Sequence, residues 1–416
     1  MYEFLKGRLL VVRLVLLLAA VALLVIGILS IYSLGHPYQP NLDEETKELE
    51  GFWKKQVQFA GIGVLGFILV NMVNYRRFGS VSHWIYGGVL LLLSVLLLDK
   101  FVDLPFVPVI NGTRRWIRFT IRGMQLPAIQ PSEFCKIAYI LALAWYLRYK
   151  SNYSKLTALV GPFALTLLPM VLILLEPDLG TVLLMMPVLF TMIFIAGAKV
   201  KHLMIIILLA LLTSPLLWHF MKDYQRTRIS SVILQSKWVQ QKAQQHPAIG
   251  KILVGGQFSA KKWSRNEGFH LIRSKYAVAS GGMSGYGFRR GPFVKYNFLP
   301  ARHNDFIFAT IAHQWGFWGC LFVLSLYVII IACGLEIAQN NTDPFGKLLA
   351  IGIVAIFVVE VVINVSMTLG LMPITGLTLP LVSYGGSSLL VSMIFIGLLN
   401  NVGRSRPFTV APKSFE

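Results

Sequence analysis

Long stretches without a charged residue constrain this chain more than any other feature. Residues 14–35, 56–75, 78–98, 156–175, 179–198, 202–221 and 306–335 contain no Asp, Glu, Lys or Arg. A membrane helix needs about 20 mostly apolar residues, so each run can cross a bilayer. Residues 132–147 add a span if Glu133 and Lys136 sit near one end, and 348–372 add another with Glu360 in its middle. No charge follows Glu360 until Arg404, which leaves room for a Pro/Gly-rich connection and a last helix near 381–401. The prediction is an all-α integral membrane protein of ten transmembrane helices, one polytopic domain over 1–416. Its largest connection, 222–302, lies between spans seven and eight. A composition of 56% hydrophobic and 13% charged residues excludes an ordinary cytosolic enzyme, a disordered chain and a fibre. The first run is too long for the apolar core of a signal peptide and is expected to be a retained anchor. Cys135, Cys320 and Cys333 form no even set and no CxxC spacing, so they indicate neither a disulfide framework nor a zinc site.

Ten spans place both termini on one side. Short loops on that side carry Arg76, Arg77, Arg148, Lys150, Lys155, Lys199, Lys201 and Lys347, and the termini add Lys6, Arg8, Arg13, Arg404, Arg406 and Lys413. Cytoplasmic short loops are rich in Lys and Arg, so both termini are expected in the cytoplasm. The 222–302 segment is too long to follow that rule and would lie outside. It holds 15 Lys and Arg but only Asp223 and Glu267, which concentrates the chain's basic excess there. Such a charge suits anionic membrane lipids or phosphorylated substrates at a membrane surface. The acidic loop 36–55 and the Pro- and Arg-containing loop 99–131 share the outer side. Residues 373–388 are apolar yet full of Pro and Gly; a backbone like that cannot face lipid and must line a protein-walled cavity.

Several charged motifs have both a functional and a structural reading. Glu133 and Lys136, in QPSEFCK, lie three residues apart on one helical face. They either hold substrate in a cavity or satisfy each other at a helix end, with Ser132 as a cap after Pro131. Asp178, in EPDLGT, suits a substrate contact or a helix N-cap equally. Glu176 beside it adds negative field, but two carboxylates are a weak sign of a metal. Arg226 and Arg228, in DYQRTRIS, have the fork geometry for phosphate, although a single Arg there could snorkel to head groups. Arg114, Arg115, Arg118 and Arg122 surround Trp116, a residue that membrane interfaces also favour. Asp305 follows Arg302, His303 and Asn304 where the long segment re-enters the membrane. It is a candidate general base or an N-cap. With a reference pKa of about 3.9 it is a weak base unless burial or a neighbouring carboxylate raises it, and Arg302 would oppose that. Glu360 and Asn364 read best as a buried hydrogen-bonded pair between helices.

These motifs occur together and in order. NGTRRWI at 111–117, QPSEFCK, EPDLGT, DYQRTRI at 223–229, HLIRSKYAVASGGMSGYGF at 270–288, FLPARHNDFIFA at 298–309 and LTLPLVSYGGSS at 377–388 resemble the SEDS family (shape, elongation, division and sporulation) over nearly all ten spans. DYQRTRI and the Arg302–His303 pair look more like its elongation members than its division members. The resemblance implies a peptidoglycan glycosyltransferase that polymerises lipid II on the outer face of the bacterial cytoplasmic membrane. It places Asp305 on the family's essential acid and Glu133, Lys136, Asp178 and Trp116 on positions the family uses. Arg226, Arg228, Arg302 and His303 join these as substrate-binding candidates. It also implies a class B penicillin-binding transpeptidase as partner. A divalent cation could share the charge stabilisation, but the sequence offers no dedicated cage. The chain departs from the pattern at Glu176, where the family usually has Gln, at Ala301, where it often has Glu, and in a longer, more basic 233–268. A lipid II flippase and a non-catalytic scaffold of the cell-wall complex are the alternatives. Transporters usually show internal repeats around a midplane site, and none is visible here.

Overall fold

The computed structural model describes residues 8–38, 49–109, 113–121, 124–125, 127–149, 155–296 and 298–404. Lys6, the acidic stretch 39–48, Arg122, Lys150, Arg406 and Lys413 lie outside them. Ten long helices correspond to the ten expected spans: α1 (Arg8–Gly35), α2 (Phe52–Met72), α3 (Ser82–Leu98), α4 (Pro131–Leu147), α5 (Val160–Leu175), α6 (Leu179–Ile195), α7 (Val200–Phe220), α8 (Ile307–Gln339), α9 (Pro344–Thr368) and α10 (Gly386–Arg404). Six stretches are long and apolar enough by themselves to cross a membrane, and 82–98, 179–195 and 200–216 are shorter apolar helices. The chain is a multi-pass membrane protein.

α9 and α10 form the centre, each 78% buried over its most apolar window, whereas α2 is 17% buried. α2 packs on α10, α1 on α8, and α8 on α9. One core of Leu, Ile, Val and Phe side chains runs through α1, α4, α6, α8, α9 and α10. The outward faces of α1, α2 and α7 instead expose Leu18, Leu65, Leu69, Leu208 and Leu212, which suits contact with lipid.

The segment after α7 is not an irregular loop. It forms helices Asp223–Ile233, Lys237–Gln245, Pro247–Val254, Ala260–Arg265 and Glu267–Gly281. Leu234, Ala243, Phe258 and Trp263 give them a small core of their own. Helix 267–281 then docks on α8, where α8 is broken at Gly316 (φ 63°, ψ −158°). The break frees the amides of Phe317 and Trp318 to donate to the carbonyls of Gly282 and Met283, at 2.9 and 3.3 Å. A Cβ at Gly316 would lie 2.5 Å from the Gly285 nitrogen, so only glycine fits there. Residues 369–385 run without helix between α9 and α10, with Leu377, Leu379 and Leu381 buried. From residue 377 to 383 this irregular stretch is covered by protein, as a Pro/Gly-rich segment at membrane depth requires.

Candidate active site

A cavity of about 380 Å³ opens where the extramembrane helices meet the bundle. Arg228 and Ser231 line it from helix 223–233, Asn266 and His270 from the start of helix 267–281, Ala301, Asp305 and Phe306 from the turn before α8, and Ile374 from the irregular segment. Its charged lining is Arg228 and Asp305.

The Asp305 turn is held by its backbone. Ala301 takes the left-handed conformation (φ 52°), and its carbonyl accepts from the amides of Asn304 and Phe306. The next four carbonyls each receive a donor from another element. Thr310 Oγ1 donates to Arg302 O at 3.0 Å, the Tyr384 amide to His303 O at 2.9 Å, Ser383 Oγ to Asn304 O at 2.8 Å, and Asn364 Nδ2 to Asp305 O at 3.0 Å. Asn364 Nδ2 also reaches Leu377 O at 2.7 Å, which joins the turn to the irregular segment. Phe306, not Asp305, is the N-cap of α8, and no side chain caps that end. The capping reading of Asp305 therefore fails, and its half-buried carboxyl is left facing the cavity.

Burial pushes the Asp305 carboxyl up to about 6, with Arg228 opposing and Asp178 adding to the rise. The opposing cation is Arg228 rather than Arg302. Burial and Arg228 also hold His270 below the usual imidazole range, so a neutral ring stacks on Phe306 with centroids 6.2 Å apart. A carboxylate tuned toward neutrality beside an arginine can accept a proton from a hydroxyl while the guanidinium holds an anion.

The other sequence-predicted residues sit around this centre. Arg302 is 2% exposed and is not among the residues lining the cavity; Nη1 donates to the carbonyls of Phe293 (2.8 Å), Val294 (3.3 Å) and Tyr296 (2.9 Å). His303 packs between Phe52 and Tyr384, and burial with Arg302 nearby lowers it to about 4, so it is uncharged at neutral pH. Arg226 donates to the carbonyls of Trp218 and His219 and closes the end of α7. Asp178 is the N-cap of α6, accepting from the Thr181 amide at 3.4 Å and hydroxyl at 3.0 Å. Ser132 does not cap α4; its hydroxyl donates to Asp178 at 2.9 Å. Trp116 is half-buried on the segment before the Ile117–Ile129 bridge and is not among the residues lining the cavity. Arg114 is taken by Asp99 (2.8 Å) and Asp103 (2.6 Å), and Arg115 donates to Pro177 O.

Lys136 is 2% exposed, with Nζ 2.7 Å from Glu133 and 2.6 Å from Glu360. Glu360 thus pairs with Lys136 across helices, and Asn364 with two backbone carbonyls. The two residues are buried and bonded as expected, but not to each other. Sequence reasoning did not single out His270, Asn266 or Ser231. His270 opens the motif at 270–288, and a ring-bearing polar residue at the head of that motif was the available signal. Among the described residues, no group of three or more His, Cys, Asp and Glu is placed to hold a metal ion.

Glu176 is 2% exposed, and among the described residues neither carboxyl oxygen has a hydrogen-bond partner. Burial pushes it up to about 8, with Asp178 adding and Arg115 and Lys100 opposing. The folded state holds this proton more tightly than the unfolded chain, so its share of stability falls as pH rises from the reference 4.5 to about 8. Glu176→Gln keeps the shape of the protonated acid and cannot ionise. We expect its melting temperature to move above that of the parent protein as pH rises through this window. Thermal melts in one detergent at about pH 5 and about pH 8.5 check this; parallel curves would reject it.

A ten-helix bundle that presents a carboxylate and an arginine in a half-open cavity at one end defines a polytopic membrane protein of enzyme-like build. The family model described as "Cell cycle protein", which takes in FtsW, RodA and SpoVE, matches residues 13–407, and the chain belongs to this family. It is similar to the peptidoglycan glycosyltransferase RodA of Treponema pallidum, at 35% identity over 93% of this chain and 96% of that protein. Its fold resembles a component of a solved peptidoglycan synthase complex that coordinates polymerisation and crosslinking, with a TM-score of 0.70 and 28% identity over 94% of this chain and 96% of that one. It also resembles crystalline RodA of Thermus thermophilus, with a TM-score of 0.61 and 26% identity over 94% of this chain and 95% of that one.

Proposed function

We propose that this protein is a peptidoglycan glycosyltransferase of cell elongation, polymerising lipid II on the outer face of the bacterial cytoplasmic membrane. The observation that carries the mechanism is the Asp305 carboxyl, raised toward 6, in one cavity with Arg228. A sugar hydroxyl of one lipid II attacks the anomeric carbon of the donor. Asp305 takes the hydroxyl proton as the new C–O bond forms. The old bond to the diphosphate breaks, and the leaving group departs with its electron pair and gains charge, which Arg228 balances. His270, uncharged, supplies a polar wall without competing for that anion. Arg226, Arg302, His303 and Asp178 serve as positioning residues, because each is engaged by the protein itself. Glu133, Lys136 and Glu360 hold α4 against α9 beneath the site. The named activity of the Treponema relative supports this reading. The synthase complex supports a crosslinking partner, which we take to be a class B penicillin-binding transpeptidase.

The polymerisation test is direct: the purified protein in detergent with lipid II alone should yield glycan chains. A protein that moves lipid II between compartments but forms no polymer would instead be a transporter. The orientation has its own test. Lys261 is exposed on helix 260–265. We expect Lys261→Cys to react with a membrane-impermeant maleimide in intact cells. Reaction only after lysis would invert the topology.

A further inference from the structure

A second basic cavity, of about 510 Å³, lies at the end of α1, walled by Tyr38, Arg289, Arg290, Lys295 and Tyr296. It shares no lining residue with the Asp305 cavity. Among the described residues no carboxylate lines it, and neither Arg289 nor Arg290 forms an ion pair with an acid. The site is pre-arranged by the chain. Arg289 Nε donates to His36 O, its carbonyl accepts from the Tyr38 amide at 2.9 Å, and its own amide donates to Gln314 at 3.0 Å. Arg290 lies over the Tyr38 ring, 4.9 Å from its centroid. Two arginines and a lysine between two tyrosine rings form a set of donors for phosphate oxygens, with flat faces for a sugar or glycerol. The cavity includes Tyr38, three residues beyond the end of the membrane span α1, and a span's end is where a bilayer's apolar layer gives way to its head groups. Arg302 ties this wall to the reaction centre, since its guanidinium holds the carbonyls of Phe293, Val294 and Tyr296 while its own carbonyl anchors the Asp305 turn.

We propose that this cavity is a second phosphate-binding site for a lipid head group, separate from the one at Arg228 and Asp305. Resting on the polymerase reading, its substrate-class occupant is the diphosphate of a second lipid-linked sugar, because joining two such molecules requires two head groups to be held at once. An anionic phospholipid shares the same phosphate chemistry.

Titration calorimetry of the full-length protein in a neutral detergent, with farnesyl diphosphate as the probe, tests this. We expect two binding sites. Arg290→Gln/Lys295→Gln should weaken one by about tenfold or more, and Arg228→Gln should weaken the other to a similar degree, since charge-assisted hydrogen bonds are lost in each. Melting temperatures establish that the variants fold. If the double variant melts lower, Arg290→Gln alone serves, because its guanidinium rests on the Tyr38 ring rather than in the bundle. One site that follows only Arg228, or two sites indifferent to Arg290 and Lys295, overturns the proposal. A short-chain phosphatidylglycerol distinguishes the source: displacement of the probe from the Arg290 site assigns it to general head groups, and failure to displace assigns it to diphosphates. The readout is binding, so a protein that binds at both sites yet makes no polymer would refute the polymerase reading and not this one.

Discussion

Replacing Asp305 by asparagine is expected to lower glycan polymerisation about 10²–10⁴-fold, the usual share of a general base. Asparagine keeps the size of the side chain and leaves the four backbone anchors of the turn untouched. The protein should also be at least as stable. The Asp305 carboxyl sits near 6 when folded against a reference of 3.8, so folding disfavours its ionised form and stability falls as pH rises between those values. The parent enzyme should gain activity as pH rises through about 6 and then level off, as the base becomes deprotonated. Chain formation from lipid II across that range, with melting curves for both forms, decides the matter. An Asp305→Asn protein that polymerises normally removes Asp305 as the base.

The second large effect concerns the buried charges between α4 and α9. Lys136→Met leaves Glu133 and Glu360 facing one another without their cation. Breaking a buried ion pair in this way typically costs about 3–5 kcal/mol. We expect a sharply lower melting temperature in detergent and a poor membrane yield. A double change at 133 and 136 would still strand Glu360, so the informative rescue is Glu133→Gln/Lys136→Met/Glu360→Gln. Recovery of both fold and polymerisation makes the three charges purely structural. Recovery of fold without activity assigns them a part in the reaction. A Lys136→Met protein as stable as its parent contradicts the account of the triad.

Much of this was legible in the sequence, for identifiable physical reasons. Absence of charge over a bilayer's thickness is a local property, so eight of the ten spans can be read from charge-free runs of residues. The helix that begins at Pro131 was readable despite Glu133 and Lys136 because both lie in its first two turns. Partners far apart in sequence were less accessible. Lys136 is 224 residues from Glu360, and nothing near either residue reveals the pairing. Ser132 looks like a cap from its neighbours, yet Asp178, 46 residues away, competes for its hydroxyl. Arg302 beside Asp305 looked like the tuning cation, but its direction is set by three carbonyls at 293–296 and the role falls to Arg228. The helices of 223–281 were hidden by their polarity, because their small core is assembled from residues as distant as Leu234 and Trp263.

The anchoring of the turn by its carbonyls bears on which substitutions this protein can tolerate. Thr310, Asn364 and Ser383 each donate a side-chain hydrogen bond to a main-chain oxygen between 302 and 305, and Tyr384 donates from its backbone amide. Main-chain oxygens are the same whatever side chain they belong to, so these bonds place no demand on the identity of residues 303 and 304. They demand instead a hydroxyl or amide at 310, 364 and 383, and anything but proline at 384. Homologues with the same turn should therefore vary at 304 more freely than at the three distant donor positions, while residue 303 stays constrained by its packing between Phe52 and Tyr384.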